Sequence, residues 1–261
     1  AVTQRQIDVI EPEHCFLHAV SFLYRRMRPP FAIRCRQARK EIPPMLLPGT
    51  KTRLIRLLIL ALIWGGVPGL AKAQTIEIVG FGDSLMAGYE LPEGDGFPAV
   101  LEAALKAKGF DVKVMNAGVS GDTTSGGLER LGWSVPDSTH LVILELGAND
   151  ALRGISPEIT RDNLDRMLVS LKERKIDVVL AGMLAPPSMG KEYENAFNPM
   201  FAGLATKHGV SLIPFFLDGV AGQPSLQLAD KMHPNRSGVD KMVENALPVL
   251  LPVVERLAKA Q

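Results

Sequence analysis

Four short polar blocks, in a fixed order along the chain, contain the residue types that acyl transfer by a serine requires. They are Gly82–Leu85 (Gly-Asp-Ser-Leu), Asn116–Gly118 (Asn-Ala-Gly), Gly147–Asp150 (Gly-Ala-Asn-Asp) and Asp230–Asn235 (Asp-Lys-Met-His-Pro-Asn). A serine hydroxyl becomes a good nucleophile only when a neighbouring base takes its proton. The tetrahedral intermediate then needs hydrogen-bond donors aimed at its negative charge. Each block alone is a weak signal, but the ordered set predicts covalent serine catalysis.

Ser84 is the predicted nucleophile, and His233 is the predicted general base. A serine after Gly-Asp is often only a turn or N-cap residue, so the other blocks decide in favour of catalysis. Asp230 lies three residues before His233, where one turn of chain can bring its carboxylate to the imidazole and fix the tautomer. No second His or Cys lies at ligand spacing from His233, so no metal site is predicted.

Three donors are predicted to face the developing oxyanion. They are the backbone N–H groups of Ser84 and Gly118 and the side-chain amide of Asn149. Glycine allows a close backbone approach, although Gly118 is equally compatible with a simple turn glycine. Asn149 is also compatible with an Asx turn formed with its neighbour Asp150.

Three acidic residues lie within or beside these blocks without an obvious catalytic task. Asp83 and Asp150 invite a carboxylate pair of the glycosidase type, but structural roles in holding the two loops are preferred. Asp122 is expected to cap or brace the loop 120–125.

Apolar runs of strand length alternate with helical patterns through residues 74–261. Strands are predicted at 75–80, 112–115, 141–146, 178–180 and 210–213, and helices at 97–108, 128–131, 159–174, 193–207 and 238–257, the last interrupted near Pro248. Such alternation predicts a single domain with a three-layer α/β/α fold and a parallel sheet. Ligands of these sheets bind beyond the carboxyl ends of the strands. Since all four blocks follow predicted strands, they are expected at one edge of the sheet.

The first 73 residues differ from the rest in charge and in pattern. They carry 12 Lys or Arg against 4 Asp or Glu, a net charge of +8, whereas residues 74–261 carry 17 against 24, a net charge of −7. Basic residues within 51–56 precede a short apolar run, and Ala-Lys-Ala at 71–73 is a small-x-small cleavage pattern. Residues 45–73 are therefore a predicted signal peptide, cleaved near Ala73/Gln74, for export to the periplasm or beyond. A retained amphipathic anchor is the alternative.

Residues 1–44 have no sustained periodicity, and we interpret them as an over-extended gene start or a disordered leader. The basic excess lies before residue 74, so no nucleic-acid partner is predicted. Cys15 and Cys35 also lie there, so the predicted mature chain has no disulfide framework and no cysteine nucleophile. We expect a monomer without a stable membrane anchor after processing.

The four blocks, together with the longer stretches 82–89, 116–123 and 145–154, resemble the SGNH hydrolases, also called the GDSL family. The resemblance extends over nearly all of residues 75–258 and is closest to the bacterial periplasmic thioesterase I, protease I and lysophospholipase subgroup. It implies a flavodoxin-like sheet in the order 2-1-3-4-5. It also implies hydrolysis of acyl esters and thioesters through an acyl-enzyme, without a cofactor.

Two other functions fit parts of the sequence. A carbohydrate-ester deacetylase of the same fold would be expected to carry a stripe of aromatic residues for sugar stacking, yet aromatic residues are only 6% of the chain. A non-catalytic binding protein would need no base paired with a carboxylate, which His233 and Asp230 provide. The esterase and thioesterase prediction is therefore preferred.

Overall fold

The computed structural model describes residues 74–260. Its sheet has five parallel strands in the order β2-β1-β3-β4-β5, which confirms the predicted flavodoxin-like order. The strands are β1 (Ile76–Gly82), β2 (Val112–Gly118), β3 (Leu141–Glu145), β4 (Asp177–Ala181) and β5 (Ser211–Ile213). The predicted leader and signal peptide lie outside the described residues.

Eight α-helices connect and cover the strands of the described chain. They are α1 (Ser84–Ala87), α2 (Phe97–Ala107), α3 (Thr124–Ser134), α4 (Ala148–Leu152), α5 (Pro157–Glu173), α6 (Lys191–Phe197), α7 (Met200–His208) and α8 (Arg236–Lys259). The crossover from β1 to β2 runs in one direction across the sheet and the later crossovers run in the other. Because such crossovers are right-handed, their helices cover opposite faces. Consistently, α2 packs against α8, whereas α5 packs against α3 and α7.

The helix α5 illustrates how local sequence sets these elements. Ser156 caps it by accepting the Glu158 N–H, and Pro157 occupies the first turn, where its missing N–H has no consequence. Its buried apolar side chains recur at helical spacing, as predicted: Leu164, Met167, Leu168 and Leu171.

Two helix predictions near the carboxyl end of the chain are wrong. The predicted helix 193–207 is two helices, because the helix is interrupted at Asn198 and Pro199 before α7 begins. Proline cannot continue a helical hydrogen-bond ladder, so Pro199 begins a new helix. The predicted interruption at Pro248 is absent, since α8 continues through Pro248 and Pro252. Both prolines lie on the exposed side of α8, where water can satisfy the carbonyls they leave free.

The core forms around the sheet, whose central strand β3 is buried along its whole length. Large aromatic side chains fill the space between the sheet and the helices; Phe81, Phe97, Phe197, Phe201 and Phe216 are all buried. Among residues 74–260, no helix combines the length and the apolar character that a membrane crossing demands.

Candidate active site

Ser84 is the first residue of α1, immediately beyond the carboxyl end of β1. The turn between strand and helix is made by Asp83, whose buried carboxylate caps α1 by accepting the Leu85 N–H at 3.0 Å. The first N–H groups of a helix have no partner within it. The Ser84 N–H therefore remains available beside its own hydroxyl.

His233 and Asp230 lie on the loop that precedes α8. Asp230 Oδ1 accepts the backbone N–H groups of Met232 and His233, and Asp230 Oδ2 lies 2.6 Å from His233 Nδ1. This tight loop needs a left-handed residue, Lys231, with a φ of 58°. The carboxylate thus orients the imidazole from three residues earlier in the same loop.

The loop and the sheet meet at Ser84. His233 Nε2 lies 2.8 Å from Ser84 Oγ, although the two residues are 149 positions apart in the sequence. The ring of Tyr89 lies against the imidazole with a centroid distance of 4.4 Å. The structure therefore brings the predicted nucleophile, base and carboxylate into one hydrogen-bonded chain.

These groups open onto a cavity of about 280 Å³. Ser84, Asn149 and His233 line it, together with Asp83, Ser120 and Gly121. The remaining lining is apolar or aromatic: Leu85, Tyr89, Ala148, Leu152, Met183, Leu217 and Met232. A few polar groups in a largely apolar pocket are typical of a site for a small organic ligand.

Asn149 lies in the short helix α4, just beyond the carboxyl end of β3. Its Nδ2 donates to Asp83 Oδ2 at 3.0 Å. An amide nitrogen carries two hydrogens, so one is fixed by Asp83 and the second can point into the cavity. The predicted donor Asn149 is thus held by the residue that caps the Ser84 helix.

The predicted donor Gly118 does not have the geometry of an oxyanion donor. It is the last residue of β2 rather than a residue after it. Its N–H donates to Asn116 Oδ1 at 2.9 Å, and the space beside its Cα is filled by the backbone of Ala87. Gly118 therefore allows α1 to pack closely on the sheet, and it is absent from the cavity lining.

Gly121 has the placement that was predicted for Gly118. It lines the cavity with a φ of 81°, and its N–H has no hydrogen-bond partner within residues 74–260. Its carbonyl accepts from Arg153 at 2.6 Å, which ties its loop to the end of α4. The sequence does not single out Gly121, because Ser-Gly-Asp at 120–122 is typical of an ordinary loop.

Asp150 and Asp122 have the structural roles predicted for them. Asp150 is buried and accepts the Thr124 N–H at 2.8 Å and the Thr160 hydroxyl at 3.1 Å, which joins α4 to α3 and α5. Asp122 accepts Arg130 Nε at 2.7 Å. Both carboxylates are thereby committed to hydrogen bonds within the protein.

Arg130 is a second residue of the site region that the sequence does not single out. Its guanidinium is buried over the ring of Phe81 and donates to the carbonyls of Gly82 and Ala117 at the ends of β1 and β2. These bonds hold together the two strand ends from which the Ser84 and Gly121 loops depart.

The carboxyl groups of the site have opposite pKa shifts. Burial raises the pKa of Asp83 to about 6, although hydrogen bonds from Leu85 and Asn149 oppose the rise. Partial burial would also raise the pKa of Asp230. Hydrogen bonds from the His233 ring and from the Met232 and His233 N–H groups outweigh this effect and hold that pKa at about 2.

A parallel sheet in this order, with serine, histidine and aspartate bonded in a chain at its carboxyl edge, defines an α/β serine hydrolase. The model of the GDSL-like lipase/acylhydrolase family matches residues 81–241. The chain belongs to this family, as the sequence predicted, and it is an enzyme that hydrolyses ester bonds.

Known proteins resemble this chain over most of their own length. This chain is 37% identical to the esterase TesA of Pseudomonas aeruginosa over 185 residues, and the alignment covers 70% of this chain and 91% of that protein. It is 39% identical over 182 residues to an arylesterase of Vibrio mimicus, covering 69% and 90%. The crystal structure of AlinE4, an SGNH-hydrolase family esterase, is 44% identical with a TM-score of 0.59, covering 69% of this chain and 96% of that chain.

Proposed function

We propose that this enzyme hydrolyses acyl esters and acyl thioesters, of the arylesterase, lysophospholipase or acyl-CoA thioesterase type, through an acyl-enzyme on Ser84. The observation that carries the proposal is the pair of short contacts at one cavity. His233 Nε2 lies 2.8 Å from Ser84 Oγ, and Asp230 Oδ2 lies 2.6 Å from His233 Nδ1. Those distances suit proton transfer from the hydroxyl to the ring and stabilisation of the imidazolium by the carboxylate.

Acylation follows from this arrangement. His233 accepts the Ser84 proton as the hydroxyl oxygen attacks the substrate carbonyl, and the resulting imidazolium protonates the leaving alcohol or thiol. The Ser84 N–H, the second hydrogen of Asn149 Nδ2 and the Gly121 N–H are the proposed donors to the oxyanion. Gly121 takes the place first assigned to Gly118, whose N–H is engaged by Asn116.

Deacylation uses the same groups in reverse. A water molecule enters the space of the leaving group, His233 takes its proton, and the new oxyanion meets the same three donors. The intermediate then collapses: the bond between Ser84 Oγ and the acyl carbon breaks, the His233 imidazolium returns its proton to Ser84 Oγ, and the acid is released. No metal or cofactor takes part in these steps, because the serine itself carries the acyl group.

The cavity lining supports an acyl substrate over a carbohydrate ester. The walls beside Ser84 are mainly aliphatic or thioether side chains, with Tyr89 as the aromatic contribution. The relatives named esterase, arylesterase and thioesterase 1/protease 1/lysophospholipase L1 point the same way.

The experiment that tests the proposal combines Ser84→Ala with a fluorophosphonate probe. We expect the wild type to hydrolyse p-nitrophenyl acyl esters and acyl-CoA and to carry the probe on Ser84 alone. Ser84→Ala should fold and lose turnover by about 10⁶-fold, as happens when a nucleophilic serine is removed. Labelling of a different serine, or activity retained in Ser84→Ala, would overturn the proposal.

We also propose that the enzyme acts after export, as a monomer, with residues 45–73 removed as a signal peptide. Strand β1 begins at Ile76, so cleavage after Ala73 would leave intact every strand of the described residues. Protein beginning at Gln74 should fold and keep full esterase activity. N-terminal sequencing of the secreted or periplasmic enzyme checks the cleavage site, and gel filtration checks the monomer.

A further inference from the structure

Glu145 is a fully buried carboxyl group directly beneath the candidate active site. It is the last residue of β3, and its Oε2 accepts the backbone N–H of Asp83 at 3.1 Å. It lies so close to Gly82 that a side chain at that position would collide with Oε2. Glu145 therefore contacts the chain at the point where β1 ends and the Ser84 turn begins.

Asp83, the residue that Glu145 contacts, accepts hydrogen bonds with both of its carboxyl oxygens. Oδ1 accepts the Leu85 N–H and Oδ2 accepts Asn149 Nδ2. A carboxylate has no hydrogen to donate. It can therefore accept a hydrogen bond from the Asn149 amide nitrogen, but it disfavours the flipped amide, which would present its oxygen to the carboxylate. The Asp83 charge thus selects the orientation in which Asn149 can donate to an oxyanion.

Two buried carboxyl groups in contact do not both ionise when no cation neutralises them. The nearby cation Arg130 is bonded to Asp122 and to strand carbonyls. Within residues 74–260, Glu145 Oε1 is buried without a hydrogen-bond partner. Burial and the neighbouring Asp83 charge raise the pKa of Glu145 well above its usual range. One proton therefore resides on Glu145 while Asp83 stays charged.

We propose that Glu145 is a positioning residue, a neutral acid that supports the charged Asp83 and, through it, orients the Asn149 amide toward the oxyanion. The inference rests on the proposed function, since it assigns Asn149 as an oxyanion donor. Glu145 itself does not touch the substrate. It anchors the Asp83 N–H and shares its proton with the Asp83 carboxyl, so the pair carries a single negative charge.

Two replacements of similar size separate a neutral acid from a carboxylate. Glu145→Gln keeps an acceptor for the Asp83 N–H and a donor for the Asp83 carboxylate, whereas Glu145→Leu keeps neither. With p-nitrophenyl acetate at pH 8, we expect kcat within about threefold of wild type for Gln and about 10–100-fold lower for Leu. The larger loss approaches that of an oxyanion donor. KM should change less than about twofold in both variants.

A double-mutant cycle with Asn149→Ala tests the route of the effect. If Glu145 acts through Asn149, then Glu145→Leu should lower kcat by less than about threefold in the Asn149→Ala background. If Glu145→Leu lowered kcat by the same factor in both backgrounds, the proposal would be overturned, because a general weakening of the fold would act in either background. Equal losses for Gln and Leu would overturn it as well, since Glu145 would then act as an ionised group.

An infrared difference spectrum keeps the test decisive if Glu145→Leu does not fold. The wild type minus Glu145→Gln spectrum at pH 8 should contain the carbonyl band of a protonated carboxylic acid. A carboxylate band in its place would overturn the proposal. Neither outcome depends on catalysis, so a failure here is distinct from a failure of the Ser84 assignment.

Discussion

The two halves of the candidate site hold their proposed catalytic groups by opposite means. On the sheet side, Ser84 and Asn149 are positioned by Asp83, which is fully buried and has a raised pKa. On the loop side, His233 is positioned by Asp230, which is partly exposed and has a lowered pKa. The same type of side chain therefore acts in two environments, with its charge disfavoured in one and favoured in the other.

This difference indicates which carboxylate lowers folding stability while it fixes the positions of its neighbours. A buried carboxylate is destabilising by its desolvation, but its neighbours cannot reorient around it. A carboxylate on a loop remains solvated and holds its histidine mainly through a local turn. We therefore expect changes on the loop side to affect chemistry with a modest change in stability, and changes at Asp83 to affect both.

The largest effect among these predictions should come from Asp230→Asn. The new amide would present a donor to His233 Nδ1 and favour the tautomer whose Nε2 already carries a hydrogen. Such a ring cannot accept the Ser84 proton, so kcat/KM should fall about 10³–10⁴-fold. Steady-state kinetics with p-nitrophenyl acetate checks this loss. Asp240→Asn, on the exposed surface of α8, is the control, and a loss of less than tenfold for Asp230→Asn would contradict the assignment.

Asn149→Ala should have the next largest effect. It removes one neutral donor to a charge that develops mainly in the transition state, so kcat should fall about 10²–10³-fold with little change in KM. Asn245→Ala, which removes a surface amide bonded to the Asp218 carbonyl, should leave both constants near wild type. If Asn149→Ala raised KM and spared kcat, Asn149 would be a substrate-binding residue instead.

Asp83→Asn should change how stability depends on pH. In the wild type, the folded pKa of about 6 exceeds the ordinary value of 3.8, so stability falls as the pH rises between these values. Asparagine does not titrate. The free energy of unfolding of the variant should therefore rise relative to wild type by on the order of 2–3 kcal/mol from pH 4 to pH 7. Urea unfolding at the two pH values measures the difference.

Asp230→Asn provides the opposite sign for the same measurement. The folded pKa of Asp230 lies below 3.8, so its contribution to stability is present above that pH and is lost as the pH falls toward 2. The free energy of unfolding of the Asn variant should therefore lie further below that of the wild type at pH 7 than at pH 2. A shift of the same sign for both variants would remove the contrast between the two halves of the site.

Lys231→Gly should have the smallest effect. Lys231 holds a left-handed conformation that is unfavourable by about 1–2 kcal/mol for residues with a Cβ. Glycine removes this strain, but it loses more conformational entropy on folding, so the two effects partly cancel. We expect the free energy of unfolding to rise by less than about 1 kcal/mol. Lys175→Gly, with a φ of 59° outside the site, is the matched variant. A destabilised Lys231→Gly beside a stabilised Lys175→Gly would mean that the Lys231 side chain supports the loop.

Much of the sheet and the serine, histidine and aspartate chain were predictable, because period-two and apolar patterns locate strands and strand ends converge on one edge. The choice between Gly118 and Gly121 was not, since only the path of the backbone after β2 decides which N–H faces the cavity. Glu145 comes directly after the apolar residues 141–144. An ionisable residue at the end of such a buried strand indicates a carboxyl group that is buried for a functional reason. Arg130 gave no such signal within its polar helix.

The sequence separation of 149 positions between Ser84 and His233 also has a consequence for synthesis of the enzyme. Contacts of such long sequence separation form late, since their loop-closure entropy must first be offset by the rest of the fold. The proposed nucleophile, Ser84, emerges from the ribosome long before its proposed base, His233. A nascent or truncated chain that lacks the segment around residue 233 has a serine and no means to activate it. Hydrolytic activity is therefore expected only after the segment around residue 233 has been made and has folded onto the sheet.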